Sequence, residues 1–67
     1  MDLSIHVKNI NTQKDIAKIK RLISQYQGIM ACEISINKKE IQLVYDEISI
    51  AIEDIINEIE INGYICN

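Results

Sequence analysis

Two passages of strand, helix and strand, each with a glycine closing its helix, predict an α+β domain of order βαββαβ. Three observations carry this expectation. Leu3, Ile5 and Val7 alternate with Ser4, His6 and Lys8, the period of a half-buried strand. Ile16, Ile19, Leu22, Ile23 and Tyr26 recur at helical spacing, as do Ile52, Ile55, Ile56 and Ile59. Gly28 and Gly63 are the only glycines in a chain without proline, and each separates a helix-period segment from a strand-like one.

The elements follow in order. After the first strand, Thr12-Gln13-Lys14-Asp15 has the form of a capping box, a hydroxyl followed three residues later by a carboxylate. The first helix then runs toward Gly28. From Met30 the period returns to two, with Cys32, Ile34 and Ile36 on one face and Glu33, Ser35 and Asn37 on the other. Asn37-Lys38-Lys39-Glu40 is a polar turn without glycine. Ile41, Leu43 and Tyr45 then alternate with Gln42 and Val44, completing a hairpin. Ser49 is the expected N-cap of the second helix, and Glu53 and Asp54 suit the positive end of its dipole. Ile61 extends the apolar surface toward Gly63, and Tyr64-Ile65-Cys66 reads as a short fourth strand. The expected architecture is ferredoxin-like, a four-stranded antiparallel sheet with two helices on one face, as a single domain over residues 1–67. In the usual strand order of that fold, 4-1-3-2, Cys32 and Cys66 lie on opposite edges, too far apart for a disulfide.

Composition narrows the function. A chain of 67 residues is near the lower limit for independent folding. Its 48% hydrophobic content, 17 isoleucines included, makes a core plausible without a staple. The net charge of −3 argues against nucleic acid, whose phosphates select a surplus of Lys and Arg. No apolar run approaches a membrane span, so no direct membrane insertion is expected. Two unpatterned cysteines and no signal-like segment point to the cytoplasm. With one histidine and no nucleophile–base pair, phosphate loop or paired carboxylates, the chain does not read as an enzyme.

The passage Ile55-Ile56-Asn57-Glu58-Ile59-Glu60-Ile61-Asn62-Gly63-Tyr64 resembles the ending of heavy-metal-associated domains. These are the small copper chaperones and the N-terminal modules of metal-pumping P-type ATPases. Gly28 through Ile36 is similar to that family's second strand, and Val44-Tyr45-Asp46 to its third. The resemblance covers nearly the whole chain. It also places the family's metal loop, G-M-x-C-x-x-C, on Asn9 through Asp15, where Ile10 takes the anchoring role of the Met and Thr12 and Asp15 stand in place of the two cysteines. A thiolate pair suits soft Cu(I); a hydroxyl and one carboxylate are hard donors and too few.

The resemblance therefore implies a degenerate heavy-metal-associated domain, a non-catalytic interaction or regulatory module linked to copper transport or homeostasis. No cofactor is expected. The implied partner is a protein, a metal-transporting P-type ATPase or a second copy of the chain. Its docking surface is expected at Lys14, Lys18, Arg21 and Tyr64, with basic residues on the first helix and acidic ones on the second. Tyr64 is expected to pack on Ile10 or Thr12. The alternative is a carrier of Cu(I) or Zn(II) with non-standard ligands, Cys66, Cys32 or His6, shared across a dimer joined through the last strand. The plainer expectation is core filling for Cys32 and solvent exposure for His6.

Overall fold

The computed structural model describes residues 1–66. Its elements are β1 (Asp2–His6), α1 (Gln13–Ser24), β2 (Ile29–Ser35), β3 (Glu40–Tyr45) and α2 (Ile52–Ile61). The sheet is antiparallel with order β1-β3-β2. Leu3 lies opposite Leu43 and Ile5 opposite Ile41; across the sheet, Cys32 faces Leu43 and Ile34 faces Ile41. These registers put the apolar phase of all three strands on one face, because side chains alternate with period two.

The core is built almost entirely from branched aliphatics. Ile5, Val7, Ile10, Ile41 and Leu43 meet Ile19 and Ile23 of α1 and Ile55 and Ile59 of α2 in one buried cluster, with Tyr45, Ile50 and Tyr64 at its margins. Each buried aliphatic contributes about 1.5–3 kcal/mol relative to exposure. Gly28 has φ +96°, and a Cβ there would lie 3.0 Å from Ser49 Cβ and 3.2 Å from Ile50 Cδ1. That glycine thus serves both the turn after α1 and the close approach of the loop before α2.

The structure departs from the sequence reading in three places. Among the described residues the sheet has three strands, and the expected fourth is reduced to a single bridge between Val7 and Cys66. The reason lies in Asn9: its side-chain oxygen accepts from the Ile65 N–H at 2.9 Å, and its amide donates to the Gly63 carbonyl at 2.9 Å. A side chain thus makes bonds that a ladder would otherwise make. Second, Ser49 does not cap α2. Its hydroxyl donates to Asp46 at 3.1 Å within the turn after β3, and the N-cap position falls on Ala51, whose side chain has no oxygen to accept a bond. Third, Ile61 is 70% exposed. It follows Ile59 by two residues, which turns it away from the buried stripe of α2.

Candidate functional site

The segment from Asn9 to Asp15 joins β1 to α1, and it is held at Asn9, Ile10, Asn11, Thr12 and Asp15. Ile10 is completely buried, so the loop is anchored in the core by an aliphatic side chain. Thr12 sits in extended backbone as the N-cap of α1, and its Oγ1 accepts from Asp15 N–H at 3.2 Å. Asp15 answers with Oδ2, which accepts from the N–H groups of Thr12 at 3.1 Å and Asn11 at 2.9 Å. The capping box expected from Thr12 and Asp15 is complete.

The remaining oxygen of Asp15 accepts from the Tyr64 hydroxyl at 2.8 Å. Tyr64 is therefore not part of an open surface: only 7% of it is exposed, it shares a buried cluster with Ile10, and its hydroxyl reaches the Asp15 carboxylate. Bonds from the Asn11 N–H and then from the Tyr64 hydroxyl lower the pKa of Asp15 below its ordinary value, against a smaller opposing effect of burial. Burial first, and then the bond to Asp15, push Tyr64 up to about 12. The Lys18 ammonium lies 5.8 Å from the centroid of the same ring, within cation–π range.

Sequence reasoning missed two of the residues that hold this loop. Asn9 links it to the segment after α2, as described above. Lys39 reaches it from the β2–β3 turn, where its ammonium donates to the Ile10 carbonyl and, at 2.7 Å, to Asn11 Oδ1. Lys39 has φ 54°, a left-handed conformation uncommon outside glycine and asparagine. Only the absence of glycine from an otherwise tight turn hinted at it.

The other candidates are dispersed. His6 is exposed on the sheet face away from the helices, as its phase in β1 predicts. Cys32 is half-buried on β2 and Cys66 half-buried beyond β1, so β3 and β1 separate them. Both are free thiols. Burial pushes both pKa values up; nearby Lys20 partly offsets the rise at Cys32, whereas Glu60 adds to it at Cys66. Both shifts favour the thiol over the thiolate that a soft ion prefers. Among the described residues, no group of three or more His, Cys, Asp or Glu could hold a metal ion. Lys14, Lys18 and Arg21 are exposed along α1.

The donor set of the loop does not fit a soft cation. Cys32 and Cys66 both lie outside it, and its one carboxylate is already committed to three hydrogen bonds.

No family model and no curated protein sequence matches the chain. Solved structures do match its shape. The CopZ metallochaperone superposes with a TM-score of 0.93 over 100% of both chains at 13% identity. The yeast copper transporter domain Ccc2a gives 0.88 over 98% of this chain and 90% of that one at 23% identity. A copper binding domain from HMA7, a P-type ATPase, gives 0.87 over 98% and 89% at 17% identity. The fold is the heavy-metal-associated fold. At these identities the likeness extends to architecture, and within that architecture the loop before α1 carries a cap built from Thr12, Asp15 and Tyr64.

Proposed function

We propose that this chain is a non-catalytic protein-interaction module in copper handling, whose loop before α1 serves as a rigid docking element and not as a metal site. One observation carries the reading: both oxygens of Asp15 are committed to backbone donors and to Tyr64, at the position where the resembling family places a thiolate. A carboxylate so engaged would have to give up charge-assisted bonds to take an ion. The rigid loop adjoins the exposed Lys14, Lys18 and Arg21 of α1, which supply the charge that steers encounter with an acidic partner. In this reading the partner is a cytoplasmic domain of a metal-transporting P-type ATPase, and the chain itself works in the cytoplasm. No helix among the described residues is long and apolar enough to cross a membrane, in keeping with a partner that supplies any membrane anchorage.

The reading is tested by titrating the reduced chain anaerobically with Cu(I), and separately with Zn(II), against a competing chelator while following amide resonances. The expected result is that amides 10–15 and 63–65 do not move and the chelator keeps the metal. Tight stoichiometric Cu(I) retention with shifts at Thr12 and Asp15 refutes it. Retention with shifts at Cys66 and slower tumbling would instead establish a carrier that shares ligands across a dimer.

A further inference from the structure

Helix α2 ends in a Schellman motif. Gly63 N–H donates to the Glu60 carbonyl at 3.0 Å, and Tyr64 N–H donates to the Ile59 carbonyl at 3.4 Å. Gly63 takes the left-handed conformation that such an ending requires, with φ +98°. A Cβ there would meet nothing beyond its chain neighbours within 4 Å, so the backbone angle and not the space selects glycine.

That glycine follows an asparagine, and the pair brings a covalent chemistry with it. A main-chain nitrogen can attack the side-chain amide carbon of the asparagine before it, and a side chain on the attacking residue hinders the approach. Asn9, Asn11, Asn37 and Asn57 precede Ile10, Thr12, Lys38 and Glu58; Asn62 alone of these five precedes glycine. Gly63 is exposed, so water and hydroxide reach the pair. The fold opposes the attack by geometry. With ψ at 11°, Gly63 nitrogen nearly eclipses the Asn62 nitrogen, whereas ring closure needs it to eclipse Cβ. Gly63 N–H, whose proton must leave, is bonded to Glu60. Asn62 Nδ2, the leaving nitrogen, donates to the Glu58 carbonyl at 2.8 Å.

We propose that Asn62–Gly63 is a site of spontaneous deamidation, gated by opening of the α2 cap, whose isoaspartate product uncouples Tyr64 from the loop before α1. In the opened segment hydroxide takes the Gly63 amide proton and the nitrogen bonds to Asn62 Cγ. The Cγ–Nδ2 bond breaks, and the nitrogen leaves as ammonia with a proton from water. Water then opens the succinimide at either carbonyl, leaving aspartate or isoaspartate, with no change of oxidation state. Isoaspartate adds a methylene to the main chain just before Gly63. Three bonds beyond that point must then readjust. The Gly63 carbonyl accepts from Asn9 at 2.9 Å, the Tyr64 hydroxyl donates to Asp15 at 2.8 Å, and Ile65 N–H donates to Asn9 at 2.9 Å. A change at the end of α2 is thereby registered at the start of α1.

The test is incubation of the intact chain in mildly alkaline buffer, with and without guanidinium chloride, followed by peptide mass spectrometry. In denaturant, Asn62 is expected to convert faster than the other four asparagines, with isoaspartate among the products. Without denaturant it converts at least about tenfold more slowly, because only the opened fraction reacts. Tyr64→Phe, which removes the bond to Asp15, speeds conversion in the folded chain at least about twofold and leaves the rate in denaturant unchanged. In the purified isoaspartate form, the amide resonances of Asn11 and Thr12, which donate to Asp15, shift. Four results each overturn the proposal: equal rates with and without denaturant, no preference for Asn62 in denaturant, an unchanged rate in a folded Tyr64→Phe, or unmoved Asn11 and Thr12 amides in the isoaspartate form. If Tyr64→Phe does not fold, the rates and resonances of the unaltered chain still decide.

Discussion

The two helices begin in opposite ways. At the start of α1, Thr12 and Asp15 satisfy the backbone with side-chain oxygens, and Asp15 also binds Tyr64 from across the molecule. At the start of α2, Ala51 offers no side-chain cap, and the acidic first turn, Glu53 and Asp54, supplies only favourable charge. What holds that end is burial: Ile50, immediately before the cap, is in the core, and Gly28 leaves room for it. A helix end can thus be fixed by directional bonds at the surface or by an apolar anchor beneath it. The first solution places polar side chains at the surface, and the second places an aliphatic one in the core.

The sharpest way to break this comparison is to remove the apolar anchor. Ile50→Ala is expected to cost about 2–5 kcal/mol, the usual range for truncating a buried aliphatic, measured by urea unfolding. A loss below about 1 kcal/mol would mean that burial does not fix the start of α2.

The polar end responds next, and with a pH signature. Asp15→Asn is expected to destabilise the domain at neutral pH. The folded carboxyl has a pKa below its ordinary 3.8, so its contribution is fully present above that value and is lost as pH falls through the lowered folded value. The unaltered chain and the variant should therefore converge in strong acid. A difference that stays constant down to strong acid would show that the carboxylate charge is not what matters.

Smaller effects complete the series. Thr12→Ala removes one half of the capping box and is expected to cost about 1 kcal/mol in the same unfolding assay. Ala51→Ser runs in the opposite direction. Ala51 already has the extended backbone of an N-cap, so adding a hydroxyl is expected to stabilise the chain by about 0.5–1 kcal/mol. No gain there would mean that the start of α2 has no unmet bonding to satisfy.

Much of this could be read before the structure. The strand and helix phases held, because burial on one face imposes periods of two and 3.6 that isoleucine makes conspicuous. The Thr12–Asp15 cap was legible because a capping box is local, with both partners within four residues. Ser49 misled for a related reason. It has the right chemistry close to the right place, but Asp46, three residues earlier, competes for its hydroxyl. The two long-range members of the loop, Asn9 and Lys39, had no legible signature: their bonds span 54 to 56 residues for Asn9 and 28 to 29 for Lys39.

The sequence by itself determined the order of elements, the apolar face of each, and the absence of cysteine from the loop before α1, since each depends on residues near one another in the chain. Tertiary structure alone decided that Tyr64 closes onto Asp15 and that Asn9 takes over the bonding of a fourth strand. Those outcomes depend on which distant groups the fold brings within about 3 Å, a distance at which hydrogen bonds form and which no local pattern encodes.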